Sequence, residues 1–289
     1  MARSDAPADI APLVGAELGD AEALVAEAGW NQTAADWRIF LDLGQVFAVR
    51  DGGRVVATAA TLPYQGFGWI SMVLVTKDFR RHGLASQLMR RCIDTLVASG
   101  RTPVLDATPD GRQVYRGLGF QDTWGFQRLT CRNRTAVPAS VPLPEGTTIS
   151  PITDAIWTAL CRYDAAAFGS DRAGLLGKLR TRLAGAALVA QQQGRIAGFL
   201  LGRDGRTSSQ LGPLVAEDDA VARALLARAL GAVKGPVYID LADAKASVAT
   251  WLGTLGFASQ RPLTRMVLGR SEGFGDPMRT YAVAGPELG

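Results

Sequence analysis

Apolar positions along this chain follow two rhythms. From Leu84 to Ser99 they fall at Leu84, Leu88, Cys92 and Leu96, the i, i+4 stripe of a helix laid on a sheet. Two shorter stretches, Asp20 to Ala28 and Ala34 to Leu43, read as further helices. Phe47 to Arg50, Arg54 to Tyr64 and Gly68 to Val75 are instead runs of β-branched and small apolar residues with glycine at the bends, which is how strands and hairpins are written. Elements in this order predict an α+β fold (an α/β sandwich) with a mixed, largely antiparallel sheet flanked by helices.

The pattern occurs twice. GRVVATAATL, starting at Gly53, is echoed by GRIAGFLLGR, starting at Gly194, and PVLDATPDGRQVYRGLGF (Pro103 to Phe120) by PVYIDLADAKASVATWLGTLGF (Pro236 to Phe257). Two matched landmarks, Gly53 to Gly119 and Gly194 to Gly256, at near-equal spacing identify a duplicated α/β unit. Proline and small polar residues break the periodicity in RNRTAVPASVPLPEGTT, residues 132–148. The expected organisation is therefore a first domain over 1–135, a linker over 136–147 and a second domain over 148–289.

Composition narrows the classes. With 289 residues, 47% of them hydrophobic, the chain has ample material for packed cores, which excludes intrinsic disorder. Cys92, Cys131 and Cys161 are widely spaced with no C-x-x-C pair, so neither a disulfide scaffold nor a zinc ribbon is expected. A single histidine, His82, argues against a His-rich metal site and a Ser-His-Asp triad, and no metal is expected. The net charge is +4, with 31 Lys+Arg against 27 Asp+Glu, but the basic residues never form a long run. They read as a solvated arginine-rich surface, and no nucleic-acid partner is expected. MARSDAPADIAPL lacks the apolar core of a secretory signal, and no stretch approaches the ~18 apolar residues of a membrane span. The expected location is cytoplasmic, with no membrane partner.

The segment from Trp69 to Ile93, WISMVLVTKDFRRHGLASQLMRRCI, carries the chemistry. A buried strand ends at Val75, and Arg80-Arg81-His82-Gly83-Leu84-Ala85 leads directly into the long helix. Such a loop aims several backbone N–H groups and the positive helix end at one point, an anion site most naturally filled by phosphate. Gly83 and Ala85 let the backbone approach a ligand, while Arg80 and Arg81 add positive charge. Arg-x-x-Gly-x-Ala after this strand resembles the acyl-CoA pyrophosphate loop of the GNAT superfamily of N-acetyltransferases. Its Gln/Arg-x-x-Gly-x-Gly/Ala pattern is met by Arg80, Gly83 and Ala85. The family's next helix commonly ends Tyr-x-x-x-Gly-Phe, met here by Tyr115, Gly119 and Phe120. The two halves resemble a tandem GNAT architecture. The wording at Gly29–Trp37, at Thr264–Gly269 and in the tail AVAGPELG is similar to a bacterial group with a catalytic first domain and a GNAT-like second one.

The resemblance covers nearly the whole chain and implies acetyl-CoA as cosubstrate. It implies transfer of an acetyl group to a primary amine of a small molecule, by direct attack on the thioester. The alternatives are a protein lysine or N-terminal acetyltransferase and a non-catalytic acyl-CoA-binding sensor; a homodimer is compatible with each. By the same resemblance, backbone groups of Val73, Leu74 and Val75 pair with the pantetheine arm and polarise the acetyl carbonyl. Amides from Arg81, His82, Gly83, Leu84, Ala85 and Ser86 cradle the pyrophosphate beside Arg80. Thr108 and Gly111 lie beside the cofactor, Thr108 replacing the more usual Asn. Tyr115 stands near the thioester sulfur, where a phenol can protonate a departing thiolate.

Other residues carry competing readings. His82 is better read as a solvated loop residue or phosphate neighbour than as a base. Asp106 either orients a water or binds the amine, or pairs with an arginine, and its echo Asp240 favours the structural role. Trp30, Asn31 and Gln32 fall in a loop that borders the acceptor pocket in this fold; Trp30, Asn31 and Tyr64 are candidate substrate contacts. In the second half Glu217, Asp218 and Asp219 appear where a pyrophosphate would dock, and Leu252 stands where Tyr115 does in the first. That half is expected to be non-catalytic and to shape the acceptor pocket, with Arg172, Arg265 and Glu287 reaching toward it.

Overall fold

In a computed structural model of the chain the described residues are 8–134 and 141–289. Part of the expected linker, and the first seven residues of the segment read for a secretory signal, lie outside them. The strands are β1 (Ile10–Pro12), β2 (Gln45–Asp51), β3 (Arg54–Pro63), β4 (Phe67–Val75), β5 (Thr102–Ala107), β6 (Phe120–Cys131), β7 (Thr147–Pro151), β8 (Leu188–Gln192), β9 (Arg195–Arg203), β10 (Ser209–Ala216), β11 (Val237–Ala242), β12 (Ala258–Leu268) and β13 (Thr280–Ala282). The helices are α1 (Leu18–Glu27), α2 (Ala34–Leu43), α3 (Leu84–Ala98), α4 (Pro109–Arg116), α5 (Asp154–Phe168), α6 (Ala173–Arg180), α7 (Asp219–Ala232) and α8 (Ala246–Thr254). Among the described residues no helix is long and apolar enough to cross a membrane.

The chain divides into two compact units, Met1–Leu105 and Asp106–Gly289. In the first unit the strands run β1-β2-β3-β4-β5, antiparallel except for the parallel pair β4–β5. Helix α2 starts where Thr33 and Asp36 form a capping box, the Thr33 amide donating to Asp36 at 2.8 Å. It buries Trp37 and Phe40, one turn apart. In α3 three of the four predicted stripe positions, Leu88, Cys92 and Leu96, are buried with Met89 beside them, while Leu84 in the first turn is half-buried. Leu96 presses onto Gly68 of β4 so closely that a Cβ there would lie 2.3 Å from a Leu96 methyl. That approach seats α3 directly on the strand leading to the loop.

The second unit orders its strands β12-β6-β11-β13-β10-β9-β8-β7. Its apolar core joins Leu211, Ile239, Leu241 and Leu129 of the sheet to Leu225 and Leu226 of α7 and Val248 and Leu252 of α8. Two features of this sheet are absent from the sequence pattern. First, β6 pairs antiparallel with both β11 and β12. The α4–β6 segment, expected to close the first domain, therefore groups by its contacts with the second compact unit, which begins at Asp106. Second, the short strand β13 near the C-terminus enters the sheet between β10 and β11.

Candidate active site

The site begins with a defect in β4. Thr58 faces Leu74 and Ala60 faces Ser71, so β4 carries one residue more than β3 across that interval. Met72 absorbs the excess with φ of 53°, and Thr58 Oγ1 donates to the Met72 carbonyl at 2.9 Å, holding the bulge in place. On its other side β4 pairs with β5 only from Phe67 to Trp69. Beyond that the strands part, so Val73, Leu74 and Val75 have no ladder partner from β5.

The loop that follows is shaped for an anion. Arg81 (φ 67°) and Gly83 (φ 77°) are both left-handed, and Gly83 is the residue from which α3 springs. No side chain caps α3. The first intrahelical bond is donated by Gln87, to the Gly83 carbonyl at 3.1 Å, so the amides of Leu84, Ala85 and Ser86 have no helical acceptor. Glu27 steadies the loop from α1: its carboxylate accepts from Thr76 Oγ1 at 2.7 Å and the Lys77 amide at 2.6 Å, with Arg80 Nη2 3.9 Å away. The Thr76 hydrogen bond is the main cause that holds this carboxyl below the usual range.

Splayed strand and loop enclose one cavity of about 460 Å³, within the range of small-ligand sites. Val73, Leu74, Val75, Arg80, Arg81, Gly83, Leu84, Ala85 and Ser86 all line it, joined by Trp30, Ala28 and Phe79. The geometry thus brings together backbone carbonyl and amide groups of a strand end, free helix N-terminal amides and two guanidinium groups. His82 is exposed, with its ring edge-on to Phe79, and does not line the cavity. Asn31 is buried and also outside the lining. Tyr64 is a correction to the sequence reading: it packs on Phe67 in the β3–β4 turn, where its carbonyl accepts from Arg101. That turn lies at the opposite end of β4 from Val73–Val75. Sequence reasoning missed Ala28 and Phe79, for which no local signal exists.

Each half matches a family of known proteins. Residues 19–120 match the Acetyltransferase (GNAT) family, and residues 160–282 match an Acetyltransferase (GNAT) domain. The chain belongs to the GNAT superfamily. It is similar to the Bacillus subtilis protein YitH, described as an uncharacterized N-acetyltransferase, with 23% identity and 81% of this chain and 82% of YitH covered. A solved structure from Pyrococcus horikoshii shares the fold at TM-score 0.77 and 20% identity, covering 98% of this chain and 96% of that one. A tandem GNAT protein from the clavulanic acid biosynthesis pathway does so at TM-score 0.68 and 15% identity, covering 90% and 97%. The protein is a tandem GNAT acyltransferase.

The remaining GNAT motif residues lie in the second unit. Thr108 is the N-cap of α4, its hydroxyl accepting from the Gly111 amide at 3.3 Å. A Cβ on Gly111 would lie 3.0 Å from the Tyr115 ring, so this glycine lets the ring pack against its own helix. Burial raises the Tyr115 phenol above its ordinary value, which keeps the proton on the oxygen at neutral pH.

Asp106, offered as a substrate contact, is taken by an arginine. Arg265 holds it in a bidentate pair at 2.9 and 3.0 Å, and the Asp106 side chain is fully buried. Its echo repeats the arrangement: Asp240 accepts Arg128 at 2.8 and 2.7 Å. Arg172 is likewise paired, with Asp164 at 2.8 and 2.9 Å, and Glu287 with Arg203. Arg172, Arg265 and Glu287 are thus bound to internal partners; Arg172 and Arg265 also line a small pocket of the second unit with Trp124, Phe168 and Phe274, whereas Glu287 is outside that lining. Asp106→Asn leaves the buried Arg265 cation uncompensated and is expected to destabilise the fold by about 3–5 kcal/mol. Chemical denaturation measures this, and an unchanged midpoint would show that the pair is dispensable.

The second GNAT domain repeats the splay and then fills it. Strands β10 and β11 pair in parallel over Ser209–Leu211 and Val237–Ile239 and then separate. Into the gap comes β13, with Ala282 opposite both Leu214 and Leu241. The Val283 amide donates to the Asp240 carbonyl at 3.1 Å and the Ala216 amide to the Arg279 carbonyl at 3.0 Å. The three acids have partners here too. Asp218 caps α7 by accepting the Val221 amide at 2.9 Å, Asp219 accepts Tyr281 Oη at 2.8 Å, and Glu217 accepts Arg279 at 2.7 Å. Two of the three acids therefore anchor the C-terminal segment.

Proposed function

We infer that this acyltransferase uses acetyl-CoA and acetylates a primary amine of a small molecule, with the first unit binding the cosubstrate and the second lacking a cofactor site of its own. The observation that carries the reading is the cavity between Val73–Val75 and Arg81–Ser86, with uncapped amides at one end and, at the other, a strand edge that β5 leaves and Arg80 Nε meets at the Val75 carbonyl. A diphosphate with a long polar amide-bearing arm has the chemistry to use both: anionic oxygens for the helix end, amide groups for the strand. Acetyl-CoA supplies an activated thioester. The chain's residues then orient it, with the strand amides donating to the acetyl carbonyl as negative charge develops there.

In this reading a C–N bond forms to the neutral amine, the C–S bond breaks, the thiolate takes a proton from Tyr115, and the proton released by the nitrogen passes through water to restore the Tyr115 phenol. That role rests on the Tyr-x-x-x-Gly-Phe match; the half-buried phenol, raised by desolvation, carries its proton at neutral pH. Tyr115→Phe is expected to lower kcat on the order of tenfold to a hundredfold, with little change in CoA affinity. Steady-state kinetics paired with calorimetry separates the two, and an unaltered kcat in a variant limited by chemistry removes Tyr115 from the mechanism. The reading as a whole is tested by thiol release from acetyl-CoA with a panel of amines, amino acids and peptides. Turnover on small amines supports it; turnover confined to peptides would overturn the substrate class, and none with any acceptor would overturn the activity.

A further inference from the structure

On the face of the second unit's sheet turned away from α7 and α8, polar residues line up strand by strand. Arg261 of β12 stands opposite Arg128 of β6, and Arg128 opposite Asp240 of β11. Gln210 of β10 stands beside Arg203 of β9 and beside Tyr238, two residues before Asp240. The alternate positions Leu129, Leu211 and Ile239 enter the apolar core.

Along this row the charges are matched from one end. Arg203 pairs with Glu287, Gln210 bonds both Arg203 and Asp240, and Asp240 holds Arg128 in a bidentate pair. The matching stops at Arg261. Among the described residues its guanidinium makes no hydrogen bond or ion pair, and its Nε is shut off from water without an acceptor. The group opposite it in register is another guanidinium, already matched by Asp240. Burial first, and Arg128 second, push Arg261 below its ordinary value, outweighing the more distant attraction of Asp240, Glu287 and Tyr238. A half-buried cation beside a like charge costs folding free energy, and a neutral side chain would serve the fold better. A ligand supplies the reason for an arginine.

The neighbours suit an oxygen-rich anion. Burial raises the Tyr238 phenol, but its polar neighbours Thr207, Ser208, Arg128 and Gln260 bring it below its ordinary value, and its ring lies 5.2 Å from the Arg128 guanidinium. Thr207 and Gln260 are exposed whereas Tyr238 and Arg261 are half-buried, so the spot opens to solvent. We propose that Arg261, with the polar groups of Tyr238, Thr207, Ser208 and Gln260, forms a subsite for a small oxyanion, the carboxylate or phosphate of a small molecule. Arg261 supplies the charge-assisted donors and the hydroxyls complete the shell.

The test is thermal denaturation of the full chain in chloride, then with sodium phosphate or sodium acetate replacing chloride at constant ionic strength, with saturating coenzyme A present throughout to fill the anion site at the start of α3. Wild-type Tm is expected to rise by roughly 2–4 °C with at least one of the two anions, and their ranking identifies the group recognised. Arg261→Gln is expected to melt no lower than wild type in chloride, because it removes an unmatched charge, and to lose the anion response. Arg132→Gln, at an exposed arginine, keeps it. The proposal is overturned if neither anion shifts the wild type, if Arg261→Gln keeps the shift, or if Arg261→Gln melts lower in chloride, as a purely structural arginine would.

Discussion

Gly83→Asp is expected to weaken coenzyme A binding by a hundredfold or more while leaving the chain folded. Gly83 is exposed, and a Cβ there meets nothing closer than the end of the Gln87 side chain at 3.9 Å, so the added group fits. Its φ of 77° is one that aspartate tolerates better than most residues, at modest strain. The loss comes from charge. A carboxylate at the mouth of α3 occupies the free amides of Leu84, Ala85 and Ser86, as Asp218 does at α7, and repels the diphosphate. Two like charges about 5 Å apart at an effective dielectric of about 20 repel by about 3 kcal/mol, which corresponds to the hundredfold. Isothermal titration calorimetry reads the affinity and circular dichroism the fold. Unchanged affinity in a folded Gly83→Asp chain would place the cosubstrate elsewhere.

Tyr281→Ala is expected to destabilise the second unit by about 3–5 kcal/mol, a drop in Tm on the order of 10 °C. Tyr281 is 3% exposed, its hydroxyl donates to Asp219, and the Lys245 ammonium lies 3.9 Å from its ring centroid. Truncation empties the place beside β10 and β11 that the C-terminal segment fills, and leaves Asp219 without its donor. The same filling predicts calorimetric binding of one CoA per full chain, because the second splay already holds β13 and its α7 amides face Asp218. Differential scanning calorimetry measures the first effect. A Tyr281→Ala melt superimposable on wild type would show that the segment is peripheral, and two CoA per chain would show that the second slot is accessible.

These expectations differ in how far they were legible in the sequence. Helix α3 was readable almost to the residue because Leu88, Cys92 and Leu96 repeat at the period of the helix that buries them. The turn into α3 was readable because a tight turn into a helix requires a left-handed residue, and glycine at position 83 serves one at little steric cost. The bulge at Met72 was not readable. A non-glycine residue at positive φ leaves no local mark, and only the mismatched count of residues on β3 and β4 reveals it.

By itself, then, the sequence determined what depends on residues near one another along the chain: the duplicated unit, the element types, and the loop whose amides face the cavity. It also showed that the second copy lacks the glycine at its helix start and the tyrosine at 252, since those are matters of residue identity. Tertiary structure alone decided the pairings. β6 lies between β11 and β12, β13 enters the second splay, and Asp106, Asp164, Asp240 and Glu287 each meet an arginine; Arg128 and Asp240 are 112 positions apart. The physical reason is that alternation specifies which face of a strand is buried but not which strand lies beside it. A buried carboxylate demands a cation without specifying which of 27 arginines will supply it. The acids at 217–219 show the consequence: their charge was legible as hostile to a pyrophosphate, but their partners Arg279 and Tyr281 became visible only once the C-terminal segment had folded back between the strands.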